Sequence, residues 1–161
     1  MCSSDLDVQP VYVYDEPVTL DKEGVEYDLI LPSQYGVTYK GPVYFTTRNT
    51  LISTPHLVSR FLQATMKGWR QAANDPSSAI DALARIAPSV DKVRELEVLK
   101  RALPYYVSDG RAMFDSMPET WTPMLQDLRA YKILERDLSA RDFLALDLAR
   151  AIANSSAMTA P

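Results

Sequence analysis

Cysteine is nearly missing from this chain. Cys2 is the only one in 161 residues, so neither an internal disulfide nor a cysteine-based metal cluster can form. Histidine is as scarce: His56 stands alone, with no cysteine or carboxylate pair at ligand spacing, and gives no case for a metal site. Its place in the first turn of an expected helix reads as solvent-exposed. An excess of positive charge is lacking too. The 17 basic residues are outnumbered by 21 acidic ones, for a net charge of −4 and a pI near 5, which argues against the basic face of a nucleic-acid binder. No apolar run is long enough to span a bilayer, so no membrane insertion is expected. There is no Gly-x-Ser-x-Gly, no phosphate-cradling glycine loop and no Cys–His pairing. No catalytic residue is nominated, and no cofactor is expected.

What is present suits an ordinary globular domain, with 47% hydrophobic and 24% charged residues. Val11–Tyr14 reads as a short strand, Glu16–Glu23 as a helix with Pro17 near its start and Gly24 at its end, and Tyr27–Leu31 as a second strand closed by Pro32. Strand, helix and strand in so short a span have the size of a minimal βαβ crossover, which implies parallel strands. Ser33–Gly36 is a loop. Val43–Thr47, rich in β-branched and aromatic residues, reads as one further strand. Helices follow: one from Pro55 to Ala73 with Thr54 as N-cap; one opened by Asp75-Pro76; one carrying Val93, Leu96, Leu99 and Leu103 and ended by Pro104. Another carries Trp121, Leu125, Leu128 and Leu134. A last one is headed by Ser139–Asp142 and carries Phe143, Leu144, Leu146, Leu148 and Ile152. Asp109-Gly110 marks a turn within an irregular stretch. Two or three strands are too few to cover about five helices as a complete two-layer domain.

Three stretches carry a resemblance: YVYDEP near the start, YGVTYKGPVYFTTRNTLISTPHLVSRFLQATMKGW from Tyr35 to Trp69, and ETWTPMLQDLRAYKIL from Glu119 to Leu134. In that order they resemble the Asn-Glu-Pro segment, the hinge-crossing strand with its following helix, and the Trp-initiated helix of the thiamine-pyrimidine, nitrate, sulfonate and taurine substrate-binding proteins of ABC importers. The resemblance implies an α/β fold, the C-terminal portion of a two-lobed, type II periplasmic-binding-protein-like architecture. On that reading residues 7–34 are a remnant of the second lobe, 35–40 a hinge crossing, 41–153 the C-terminal part of the first lobe, and 154–161 a frayed tail. Met1–Leu6, MCSSDL, has neither the basic start nor the apolar core of a signal peptide. It resembles the translation of a common sequencing-library adapter, so residues 1–6 are expected to be non-native.

The resemblance implies a solute-binding component of an ABC importer, periplasmic or on the cell surface, that closes around a small polar organic molecule (a thiamine pyrimidine precursor, a sulfonate or similar) and docks on ABC permease subunits. Glu16 stands where the family's glutamate faces the ligand, although Asp15 replaces the usual asparagine. The residues themselves point to the same places. Asp15-Glu16 follows a strand end, where α/β sheets bind ligands, although acids at a helix start also answer the helix dipole. Tyrosine offers a stacking face and a polar tip, and Tyr14, Tyr35 and Tyr44 lie at strand ends or the hinge. The expected ligand-binding set is Tyr14, Glu16, Tyr35 and Tyr44, with Gly36 and Val37 at the hinge. Arg48 is a weaker candidate for an anionic group, and Trp69 and Trp121 read as core. One alternative is an enzyme like the thiamine-pyrimidine synthases of the same superfamily, which use a histidine and a lysine-bound pyridoxal phosphate. Their cysteine-rich run has no counterpart at Lys40–Thr47. The other alternative is a helical protein-interaction domain.

Overall fold

The computed structural model describes residues 8–37, 41–108, 111–112 and 118–145. The chain divides into two compact units: residues 1–29 with 69–112, and residues 30–68 with 113–161.

The first unit holds α1 (Glu16–Glu23), the last turns of a long helix, then α4 (Pro76–Ile86) and α5 (Lys92–Tyr106). Local chemistry accounts for each boundary. Pro17 occupies the first turn of α1, where its missing N–H costs nothing. Gly24 at φ 69° ends it, with Gly24 N–H donating to Asp21 O and Val25 N–H to Leu20 O, the paired bonds of a Schellman turn. Asp75 Oδ1 accepts from Ser78 N–H at 3.0 Å and opens α4. Asp91 Oδ1 accepts from Val93 and Arg94 N–H and opens α5, a cap worth about 1 kcal/mol. Helix α5 packs on both α4 and α1, and Pro17, Val18, Ile80 and Ala102 are buried.

Polar contacts also tie α1 to α5. Lys22 Nζ pairs with Asp91 at 2.7 Å, Arg101 with Asp21 at 2.8 Å, and Arg94 donates to Thr19 Oγ1 at 2.9 Å and to the Asp15 carboxylate. Exposed pairs of this kind contribute little each, because water and salt screen them. Arg94 is the exception because its side chain is three-quarters buried. After α5, β1 (Val107–Ser108) and β2 (Arg111–Ala112) pair antiparallel, Val107 opposite Ala112.

In the second unit, α2 (Arg48–Ser53) leads into α3 (Pro55–Asn74), whose last residues belong to the first unit. A separate part carries the turn Pro118–Trp121, α6 (Thr122–Ala130) and the turn Ala140–Asp142. Trp121, Leu125 and Ala140 form its buried centre, with Met124, Leu134 and Leu144 packed around them. Helix α6 ends in the same paired bonds as α1, Lys132 N–H to Arg129 O and Ile133 N–H to Leu128 O. Here, however, the left-handed position is Lys132 at φ 57°.

The α/β expectation is corrected by these elements. Val11–Tyr14, Tyr27–Leu31 and Val43–Thr47 form no ladder, so neither the βαβ crossover nor the further strand exists, and the two-residue hairpin is the only sheet among the described residues. The reason is physical. A strand is stabilised by the partner that takes up its N–H and C=O groups, and none of these segments has one among the described residues. Strong β propensity does not make a strand without that neighbour. Thr47 instead caps α2, accepting from Thr50 N–H at 3.0 Å. Thr54, expected to cap α3 through its side chain, donates its hydroxyl back to Thr50 O at 3.0 Å. Pro104 lies inside α5 and the helix continues to Tyr106. Ser139 N–H donates to Asp142 Oδ2 at 2.7 Å, but the helix expected to follow lies mostly outside the described residues.

Candidate functional site

Five aromatic side chains gather in the first unit. Two come from the segment before α1 (Tyr12 and Tyr14), one from the end of α3 (Trp69), and two from the last turn of α5 (Tyr105 and Tyr106). The local chain explains the gathering. Asp15 N–H bonds back to Tyr12 O at 3.0 Å, which bends the segment into a turn. Adjacent helical residues Tyr105 and Tyr106 point in directions about 100° apart and so meet different neighbours.

Tyr14 is the centre. Its ring stacks near Tyr12 (centroids 5.5 Å, 21° between planes), tilts against Tyr105 (5.7 Å) and meets Tyr106 edge-on (5.9 Å). Tyr106 in turn stacks flat on Trp69, at 4.5 Å and 10°. Each such pair adds about 0.5–1.5 kcal/mol beyond its buried area. The Tyr14 and Tyr106 hydroxyls share a hydrogen bond of 2.7 Å. Burial, and then that bond, raise the Tyr14 pKa well above that of an ordinary phenol, so Tyr14 stays neutral. Tyr12 and Tyr105 keep more than half of their surface exposed, and these two rings are the ones a solute can reach.

The acids beside the cluster are occupied locally. The Glu16 carboxylate accepts from Tyr12 N–H at 2.8 Å, and Asp15 accepts from Arg94. Glu16 thus holds the turn before α1, and Asp15 joins that turn to α5. Further along α1, Asp21 takes a hydrogen bond from the Tyr27 hydroxyl at 2.8 Å and pairs with Arg101. Those contacts, the phenol first, hold its pKa below the usual carboxylate range.

The four expected ligand residues fall in different units. Tyr14 and Glu16 belong to the first, Tyr35 and Tyr44 to the second. Tyr35 is 74% exposed in the turn Pro32–Tyr35, and Tyr44 meets Phe61 edge-on at 5.7 Å. Gly36 takes φ 80° after that turn, and Val37 N–H donates to Pro32 O at 3.0 Å. Thr38, Tyr39 and Lys40, the rest of the expected hinge crossing, lie outside the described residues. Arg48 is exposed at the first position of α2, and His56 is exposed in the first turn of α3. Trp121 is buried as expected, whereas Trp69 is only partly buried and shares the aromatic cluster. Tyr105 and Tyr106 are not among the residues the sequence singles out. Their adjacency directly after Leu103-Pro104 was the available signal, hidden by reading Pro104 as a helix end. Among the described residues no group of three His, Cys, Asp or Glu is placed to hold a metal ion, and no helix is long and apolar enough to cross a membrane.

Comparison with known proteins adds two similarities. The family model described as NMT1/THI5 like matches residues 1–79, just under half of the chain. The riboflavin-binding protein RibY of Chloroflexus aurantiacus is 24% identical over 130 residues, covering 76% of this chain and 36% of that protein. The chain thus spans little more than a third of the length of this relative. No solved structure matches. Both are partial similarities, one to an NMT1/THI5-like family model and one to a protein named for binding riboflavin.

Proposed function

We propose that the chain is the solute-contacting part of an ABC importer's solute-binding component, working outside the cytoplasmic membrane and delivering its ligand to permease subunits. The observation that carries this reading is the aromatic cluster centred on Tyr14, with Tyr12 and Tyr105 accessible at its edge. Stacked rings with hydroxyl tips suit a planar, polar, heteroaromatic solute, held by one flat contact and a few hydrogen bonds. The name of the RibY relative makes riboflavin the first probe, and the resemblance to pyrimidine-precursor binders makes the pyrimidine half of thiamine the second. Sulfonates and nitrate fit less well. The most buried cation beside the cluster, Arg94, is already taken by Asp15, Glu95 and Thr19.

In this reading Tyr14 fixes the position of Tyr12 and Tyr105, and Glu16 orients the Tyr12 backbone. Gly36 with Val37 is the pivot at which solute binding is felt by the backbone. Quenching of Trp69 fluorescence tests the reading directly. Titration with riboflavin or the pyrimidine should quench saturably, taurine should not, and Tyr12→Ala should weaken the response about tenfold. Absence of binding by any of the probes, or equal binding to Tyr12→Ala, overturns it. Gly36→Val, which forces a branched residue into the left-handed region, should weaken solute-driven compaction measured by small-angle scattering.

A further inference from the structure

Residues 41–68 of the second unit carry an exposed apolar surface of their own. Helix α3 runs for 20 residues without a single buried one. Its apolar residues Leu57, Val58, Phe61, Leu62 and Met66 fall on one face at helical spacing, and His56, Arg60, Gln63 and Lys67 fall on the other. The apolar face is open where it begins, since Leu57 and Phe61 are each 54% exposed. Tyr44 meets the Phe61 ring, which brings the segment Val43–Phe45 to the same end of the helix. There Phe45 is 93% exposed, and Ile52 on α2 is 73% exposed.

The charge along this part of the sequence is one-sided. No acidic residue occurs between Asp28 and Asp75, a stretch whose charges are Lys40, Arg48, Arg60, Lys67 and Arg70. The remainder of the chain sets twelve basic residues against twenty-one acidic ones. In a protein of net charge −4 this is the one long stretch of purely positive sign, and it coincides with the exposed Phe and Leu side chains. An amphipathic helix of modest overall hydrophobicity, with Leu and Phe on one face and Arg and Lys on the other, is built to lie in the plane of an anionic lipid surface. The aromatic and aliphatic side chains enter the acyl boundary while the cations remain at the headgroups.

We infer that α2, α3 and the Val43–Phe45 segment form a peripheral membrane-contact surface selective for anionic lipid. The chemistry is one-sided charge plus exposed apolar side chains, and it commits to a bilayer, which takes up both without a shaped pocket. It goes beyond the solute-binding reading and does not depend on it.

The test is cosedimentation of the full 161-residue chain with vesicles of phosphatidylcholine alone, and of phosphatidylcholine with one-third phosphatidylglycerol. The chain should partition about tenfold more strongly onto the anionic vesicles and lose most of that preference in high salt. Phe45→Ser with Leu57→Ser should reduce partition to both, by about tenfold on the anionic vesicles. Arg60→Glu with Lys67→Glu should abolish the anionic preference alone. Helix content by circular dichroism confirms that each variant is folded. Equal partition onto the two vesicle types, or none onto either, overturns the inference. So does sedimentation velocity showing that the same side chains are consumed by self-association without lipid binding. Trp69 quenching by riboflavin, measured without vesicles, reports solute binding separately, so the failure of one reading is distinguishable from the failure of the other.

Discussion

The rings of the first unit and those of residues 41–68 are used in opposite ways. Tyr14, Tyr106 and Trp69 spend their faces on one another, with a hydroxyl pair at 2.7 Å in the middle. Phe45 and Phe61 leave at least half of their surface to solvent. The charges differ in the same sense. Arg94, Arg101, Lys22 and Lys92 are all paired with carboxylates, whereas the stretch from Leu29 to Asn74 has no carboxylate to offer its cations. Aromatic content alone does not distinguish a packed cluster from a contact surface. What distinguishes them is whether neighbouring helices deliver ring partners and counter-charges, as α5 does for the segment before α1.

The sharpest way to break this comparison is to truncate one ring from each region. Trp69→Ala should lower the free energy of unfolding by about 2–3 kcal/mol, because it removes a stacked, half-buried indole. Phe45→Ser should change it by less than about 0.5 kcal/mol. Urea denaturation of both variants checks the pair. Similar losses would show that Phe45 is packed, and the contrast would fall.

A smaller loss is expected at Arg94. Its side chain donates to Asp15, Thr19 and Glu95 while largely buried. Arg94→Ala leaves Asp15 without its partner and should cost about 2 kcal/mol. Arg94→Lys keeps the charge but not the fork, and should recover only part of the loss. Full recovery by lysine would mean that charge, and not the directed bonds, joins the Tyr12–Asp15 turn to α5.

How far these regions were legible in the sequence follows from the range of the forces involved. Helix ends depend on residues a few positions apart, so Pro17, Gly24, Asp75 and the Ser139–Asp142 pair were readable directly. Strands depend on partners that may lie anywhere in a chain. Val11–Tyr14, Tyr27–Leu31 and Val43–Thr47 had the right composition but found no ladder, and the α/β expectation failed at that step. The candidate site shows the same division. Tyr14 is a candidate in the sequence as the end of a strand that the structure does not form. Its partners Tyr105, Tyr106 and Trp69 come from distant positions that only the packing of α1, α3 and α5 brings together. Helix α2 is hidden in the sequence because Thr47 suits a strand end as well as the N-cap it proves to be.

Acid sharpens the contrast further. Asp21, Asp81 and Asp91 all have pKa values below the usual carboxylate range, held there first by the Tyr27 hydroxyl, Lys92 and Lys22 respectively. A carboxylate depressed in the folded state contributes stability that is present above its unfolded pKa, about 3.9, and lost as pH falls through the folded value. The urea midpoint should therefore fall as pH drops from about 5 to below 3, and less steeply in Asp21→Asn and Asp91→Asn. These groups are exposed, so the slopes should be modest, and residues 41–68, with no carboxylate, should contribute none. A midpoint independent of pH in this window would mean that the pairs across α1, α4 and α5 do not persist in solution.

The smallest expected effect compares one backbone turn built twice. Helices α1 and α6 end in the same pair of hydrogen bonds, but the left-handed residue is Gly24 in one and Lys132 in the other. A side chain pays a steric cost in that conformation that glycine does not. Lys132→Gly therefore relieves strain, although it also gives the unfolded chain more freedom to lose, and the net gain should be about 0.5–1 kcal/mol. Gly24→Ala has open space around its new Cβ but must adopt φ 69°, and should lose about 1 kcal/mol. Opposite signs at two matching turns would identify backbone conformation, and not side-chain contact, as the cause. If Lys132→Gly destabilised instead, Lys132 would have to contribute through its side chain at the end of α6 by more than the steric cost of its own backbone angle.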